Sequence, residues 1–180
     1  MIGIIYAIIP GILIMLITIL IMYRRKKPAS RIVLTAVFIL YITGVICLTF
    51  FPVDYTDVVD ENFDVFNNTI KLIPFEIITG MIQKYDLFVI MVEVGGNILM
   101  TIPFGLMLPL LVPEKKKVFY PLMFFAFTFG IESMQLLIGF LLGTFYRTAD
   151  VDDIILNFTG AMIGFFIFRF LPVKLKEKFI

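Results

Sequence analysis

Five long apolar runs alternate with short charged connections along this chain. Ile2–Tyr23 carries no charge. About 20 apolar residues rising ~1.5 Å each cross the roughly 30 Å hydrocarbon core of a bilayer. Ile32–Phe51 makes a second such run, closed by Pro52. Leu87–Val112 is the third, with Glu93 and Asn97 inside it and Pro103 and Pro109 further along. Val118–Leu142 is the fourth and holds Glu132 and Gln135, and Ile154–Leu171 is the fifth. The longest polar stretch, Val53–Asp86, encloses Ile70–Gln83, which is apolar but short and interrupted by Pro74. A segment of that length suits an interfacial or re-entrant helix better than a span. The pattern predicts an all-α polytopic membrane protein with five transmembrane helices and a short interfacial or re-entrant helix before the third span.

Charge orients these spans. Arg24, Arg25, Lys26, Lys27 and Arg31 cluster after the first run, Lys115–Lys117 after the third, and Arg169, Lys174, Lys176 and Lys178 at and beyond the end of the fifth. With five spans, all three groups fall on one side if the N-terminus lies on the other. That second side keeps Lys71, Lys84 and Arg147 together with most of the acids, in Val53–Asp86 and Gly143–Asp153. The bias towards basic cytoplasmic loops predicts N-out, C-in. Tyr23, Tyr55, Tyr85, Tyr120 and Tyr146 sit near span ends, where interfacial aromatics belong. The first run is not a cleavable leader by its pattern, since the basic cluster follows it rather than precedes it.

Composition agrees. The chain is 61% hydrophobic and 16% charged, against about half and a quarter for soluble domains, and residues 1–180 read as a single transmembrane domain. The one cysteine, Cys47, excludes an intrachain disulfide. Histidine is absent, which removes the commonest general base and the commonest transition-metal ligand. No cofactor is expected, and although Asp150, Asp152 and Asp153 could supply the oxygen ligands of a hard divalent cation, their spacing is too generic to favour a metal site. Topology and attraction to anionic lipid account for the basic loops, without nucleic acid.

The polar residues inside the spans carry the functional signal, because ionisable groups in hydrocarbon are costly and mark either a site or a buried pair. Helical rise puts Glu93 and Glu132 both about 9 Å below the outer boundary. Asn97, Gln135 and Asn157 lie in the same outer third. Asp150, Asp153 and Asn157 share one helical face at i, i+3 and i+7, and Arg147 and Asp152 stand with them at the mouth. Gly160 and Gly164 form a small-xxx-small surface for close helix packing. One reading of the polar set is interhelical hydrogen bonding, at about 0.6–2 kcal/mol per contact. The other is a binding site formed by Glu93, Asn97, Glu132, Gln135, Arg147, Asp150, Asp153 and Asn157.

Several motifs in order carry a family resemblance: Leu72-Ile73-Pro74-Phe75, then Gly96-Asn97-Ile98-Leu99-Met100-Thr101-Ile102-Pro103-Phe104-Gly105, then Glu132-Ser133-Met134-Gln135, then Arg147 with Asp150, Asp153 and Asn157 through Gly160. Over roughly residues 32–171 the chain resembles the VanZ-like family of bacterial membrane proteins. The resemblance implies a multi-pass protein of the bacterial cell membrane with a role at the cell envelope. It also implies a link to resistance against glycopeptide antibiotics of the teicoplanin type.

Three functions fit the residues. A binding or transport module would seat the headgroup of an amphiphile in an outward-facing polar pocket, its chain in lipid. Arg147 could then grip a phosphate or carboxylate, and the partners would be membrane lipids, a polyprenyl-linked cell-wall precursor or a lipoglycopeptide. An intramembrane enzyme would use Glu93 and Glu132 as acid and base on a lipid-linked precursor. Without histidine no Ser/His or Cys/His nucleophile exists, so the balance leans away from catalysis. A structural protein would dock a partner on the acidic loop Val53–Asp86.

Overall fold

The structure, a computed structural model, describes residues 3–51, 70–113, 116, 118–142 and 148–179. Its elements in chain order are α1 (Ile5–Arg24), α2 (Ala29–Phe50), β1 (Ile70–Lys71), α3 (Glu76–Lys84), α4 (Leu87–Leu111), α5 (Phe119–Leu142), β2 (Ala149–Asp150), α6 (Val151–Phe170) and α7 (Val173–Glu177). The five long helices α1, α2, α4, α5 and α6 each have the length and apolarity to cross a membrane. The protein is a five-span helical bundle.

Local chemistry explains where the helices stop. α1 ends in a left-handed Lys26 (φ 54), whose neighbour Lys27 returns its N–H to the Met22 carbonyl at 3.1 Å, the closing bond of a Schellman cap. Pro28 then precedes α2, where its missing N–H costs nothing. The fifth span begins at Val151, three residues before the Ile154 expected from hydropathy. Its aspartates belong to the first helical turn rather than to a loop. Asp150 is the N-cap, and its carboxylate accepts the Asp152 N–H at 2.9 Å.

The tightest packing in the bundle joins α4 to α6. A side chain on Gly105 would strike the Ala161 carbonyl, and one on Gly164 would approach the Leu106 nitrogen to 2.9 Å. One on Gly160 would meet the Ile98 carbonyl and the Thr101 hydroxyl. The small residues let two backbones approach directly, the usual basis of helix association in lipid. Thr101, fully buried, donates its hydroxyl to the Asn157 carbonyl at 2.6 Å across this seam. Below it lies a core of Phe104, Tyr120, Phe124 and Ala161, in which the Phe104 and Phe127 rings stack with centroids 4.0 Å apart. Pro103 breaks the hydrogen-bond ladder of α4, and the Tyr41 hydroxyl of α2 donates to the nearby Met100 carbonyl at 2.8 Å.

The ends rich in basic residues lie together. Arg31 at the start of α2 donates to the Leu111 carbonyl (2.8 Å) and the Phe179 carbonyl (3.2 Å), and Ser30 donates to Lys178 (2.6 Å). Tyr120 departs from its expected interfacial place. It is buried and donates its hydroxyl to the Val112 carbonyl at 3.0 Å, closing the short connection between α4 and α5. Tyr23 and Tyr85 are exposed at helix ends, while Tyr55 and Tyr146 lie outside the described residues.

Candidate functional site

The polar residues gather at the end of the bundle opposite that basic cluster. The segment Ile70–Gln83, expected as one short helix, is a two-residue strand, a turn and then α3. Strand β1 pairs in parallel with β2, Ile70 opposite Ala149 and Lys71 opposite Asp150. The turn ends in Phe75, which adopts the left-handed conformation (φ 66) at the N-cap of α3. Such a position is strained for a side chain of that size, and a specific contact accompanies it: the Phe75 N–H donates to the Asp152 carboxylate. Asp152 is only 2% exposed. It fastens the short helix to the start of α6.

Asp150 joins the same end to α5, its N–H donating to the Glu132 carboxylate at 3.1 Å. Burial pushes the Asp150 carboxyl above the usual aspartate range, and the negative charges of Asp152 and Glu76 act the same way. The Asp152 N–H and Lys71 oppose the shift. Asp153 accepts from the Asn97 amide of α4, and Gln135 donates to the Thr49 carbonyl of α2 at 3.1 Å.

Two adjoining cavities result. The larger, of about 330 Å³, is lined by Thr49 of α2, Glu93, Gly96 and Asn97 of α4, Glu132 and Gln135 of α5, and Asp153 and Asn157 of α6. The smaller, of about 150 Å³, is lined by Glu93, Asn97, Asp150, Asp152 and Asp153, with Ile78 and Met81 of α3 as its apolar wall. Of the residues expected in a site, Glu93, Asn97, Glu132, Gln135, Asp153 and Asn157 thus converge on one cavity, and Asp150 lines its neighbour. Arg147 lies outside the described residues, as does most of the acidic loop Val53–Asp86.

Burial divides the set. Glu132, Gln135 and Asn157 are buried, whereas Glu93 is exposed and lines both cavities, which puts it at their rim. Leu48 and Val92 are exposed beside the larger cavity, so its open edge between α2 and α4 has apolar lips. Two buried acceptor atoms, Asn157 Oδ1 and Asp152 Oδ2, have no hydrogen-bond partner among the described residues. The three aspartates aim their carboxylates at different targets, the Asp152 N–H, the Phe75 N–H and the Asn97 amide. Consistent with that divergence, no group of three or more Cys, Asp or Glu side chains able to hold a metal ion occurs among the described residues.

Residue patterning set Asp152 at the mouth of the site but gave it no partner, and it did not single out Thr101. Asp152 is off the face shared by Asp150, Asp153 and Asn157, and its partner Phe75 is distant in sequence. Thr101 sits in an apolar run where a hydroxyl reads as packing. Only its complete burial beside Gly160 exposes its role.

This arrangement defines a polytopic helical membrane protein with a polar cavity among three or more spans at one end of its bundle. The chain belongs to the VanZ/LLP1 family, whose model matches residues 38–172. Comparison with curated proteins and with solved structures returns no match.

Proposed function

We propose that the protein binds the polar group of an amphiphile in the larger cavity, which faces the outer side of a bacterial cell membrane, with the chain of the amphiphile leaving through the gap between α2 and α4. The carrying observation is the convergence of Glu93, Asn97, Glu132, Gln135, Asp153 and Asn157 on one cavity of about 330 Å³ with apolar lips. Interhelical hydrogen bonds engage Asn97, Asp153, Gln135 and Glu132, and a lined cavity remains between the helices beside them. The positive-inside distribution of basic residues supports the outward orientation. Membership of the VanZ/LLP1 family supports the reading, since the resemblance implies a role at the cell envelope and a link to glycopeptide resistance of the teicoplanin type; a polyprenyl-linked cell-wall precursor or a lipoglycopeptide would have the required shape.

Gly96→Leu tests the reading. Gly96 lines the cavity, and a Cβ there meets nothing within 4 Å, so a side chain can begin there without striking a neighbouring helix, and leucine is the choice to occupy the cavity. Native mass spectrometry of the purified protein should show a bound amphiphile in the wild type and its loss in Gly96→Leu. Cells carrying the variant should lose any protection against teicoplanin that the wild type gives. An equally folded Gly96→Leu protein that retains the same amphiphile would refute the proposal.

A further inference from the structure

We propose that the end of the bundle opposite these cavities, where the basic groups gather, holds a binding site for a phospholipid of net negative charge, with Arg169 and Lys176 gripping its phosphate. A cavity of about 390 Å³ opens there between the ends of α4, α5 and α6 and the short α7. That volume falls among those of small-molecule sites, about 300–1,000 Å³. Tyr120, Phe165 and Phe168 give it an aromatic wall, and Arg169 and Lys176 supply its charge. Among the described residues no Asp or Glu lines it.

Local structure accounts for the pair. Pro172 follows the end of α6, and α7 turns back so that Lys176 donates to the Arg169 carbonyl at 3.0 Å. Its ammonium also stands 4.7 Å from the centroid of the Phe168 ring. Capping the helix is the bland account of this lysine, and it uses one of three donors. Neither a carbonyl nor a ring cancels the charge, and Arg169 is exposed. The C-termini of α4 and α6 bring about half a negative charge each. Donors already meet them: Arg31 reaches Leu111, the Tyr120 hydroxyl reaches Val112 and Lys176 reaches Arg169. The connection from α4 to α5 contains Glu114 with Lys115, Lys116 and Lys117, so in sum it adds positive charge. Across the whole end, the basic residues of 24–31, 115–117 and 169–178 stand against only Glu114 and Glu177.

Positive charge alone would draw any anion, and the surroundings select a lipid. Phe170 is 86% exposed, and Val118 and Leu122 are exposed as well. These neighbours of the lining residues offer an apolar surface along which acyl chains can lie. A guanidinium pairs with two phosphate oxygens at once, and an ammonium adds a point charge beside it. Basic pockets between spans on the cytoplasmic side take anionic headgroups in this way. A zwitterionic headgroup carries the same phosphate, but its ammonium finds no carboxylate in the described wall.

The test uses the full chain in dodecyl maltoside micelles, with native mass spectra recorded as lipid is added. The probes are phosphatidylglycerol and phosphatidylcholine with identical acyl chains, and glycerol phosphate as the soluble ester. Phosphatidylglycerol should bind at least about tenfold more tightly than either of the others. Arg169→Gln and Lys176→Gln should each weaken it by at least about fivefold, the worth of one basic residue beside an anionic lipid surface. Lys174→Gln alters an exposed lysine of the same end that does not line the cavity, and it should change the affinity by less than about twofold. Arg169 is exposed, so Arg169→Gln carries the test even if Lys176→Gln disturbs α7. Phosphatidylcholine bound as tightly as phosphatidylglycerol, an affinity that Arg169→Gln leaves unchanged, or an equal loss in Lys174→Gln would each overturn the site. Glycerol phosphate held as tightly as the lipid would overturn the lipid assignment in favour of a soluble phosphate ester.

Discussion

Replacing Gly105 with alanine tests whether the α4–α6 seam holds the bundle together. The added Cβ falls on the Ala161 carbonyl, far inside contact distance. Both atoms involved are backbone, so no side chain can rotate away. Relief requires the two helices to part by about 1 Å or more, because non-bonded carbon contacts settle at about 3.5–4.0 Å. Gly160 and Gly164 rest on the Ile98 and Ile102 carbonyls of the same α4 surface, so the separation spreads along the whole seam. A gap of 0.5–1 Å already forfeits about a quarter to a half of each dispersion contact. Overpacking of this kind costs about 1–3 kcal/mol. The buried Thr101–Asn157 hydrogen bond, 2.6 Å long, would stretch as well, at a further 0.6 kcal/mol or so. Against this, alanine is a better helix residue than glycine by about 0.5–1 kcal/mol, which leaves a net loss of roughly 1–3 kcal/mol. Unfolding by sodium dodecyl sulfate in mixed micelles, followed by circular dichroism, measures it. Gly44→Ala and Gly130→Ala are the controls, since a Cβ at either position meets nothing within 4 Å; both should be neutral or slightly stabilising. A Gly105→Ala protein as stable as these controls would refute the close-contact seam.

Two further predictions concern the polar end. Asp152→Ala removes the acceptor of the Phe75 N–H, a charge-assisted bond worth about 1.5–3 kcal/mol; amides of Glu76–Lys84 should exchange with solvent about 10- to 100-fold faster, and unchanged protection would show that α3 is held by something else. Asp150 has its folded-state carboxyl raised by burial above the ordinary aspartate range, so the native state binds its proton more tightly than the unfolded chain does. Its contribution to stability is therefore full below the unfolded pKa and is lost as pH rises through the raised folded value. Asp150→Asn, which keeps an acceptor for the Asp152 N–H, should flatten that slope and be at least as stable as wild type at neutral pH. A pH–stability curve with the same slope in both proteins would contradict the assignment.

Hydropathy made the five spans legible because their length and lack of charge leave no soluble alternative. It placed the start of α6 three residues late for a physical reason: Asp152 and Asp153 are charged, yet acids in a first turn complement the helix dipole, so charge there does not mark a loop. The cavity wall was legible in part because helical rise converts sequence position into depth. Glu93, Glu132 and Asn157 could be set at one level without knowing how the helices are arranged. Depth carries no information on azimuth. Hence the exposed position of Glu93 and the burial of Asp152 on the other side of the acidic face were not readable. The β1–β2 bridge was illegible for another reason: a two-residue parallel pair has no periodicity, and its register depends on how the turn at Phe75 meets α6. The glycines of α6 announced a packing surface, but their counterpart on α4, Gly105 with the Ile98 and Ile102 carbonyls, is defined only by the backbone approach itself.

The family match starts at Phe38, and the geometry gives that boundary a meaning. Helix α1 packs chiefly against α2, with Gly11 pressed against Thr43, and no residue of α1 lines either polar cavity. The walls of the site come from α2, α3, α4, α5 and α6, and the seam that fixes two of them lies wholly between α4 and α6. Removing α1 would uncover Phe38, Ile39, Ile42 and Ile46 along the cleft it shares with α2, an apolar surface that lipid can cover at little cost. A chain beginning at Arg24 behind an initiator methionine would keep the basic cluster that follows α1 and four of the five spans. That shortened protein should insert with the basic cluster on the same side, as the positive-inside bias requires, and should retain in native mass spectra the amphiphile that the full chain holds, with an affinity within about threefold of it, a difference of under 1 kcal/mol. Loss of binding from a shortened protein that still shows the α4–α6 stability difference between Gly105→Ala and Gly130→Ala would mean that α1 shapes the cavity through α2, and that the site is not the self-contained unit its lining suggests.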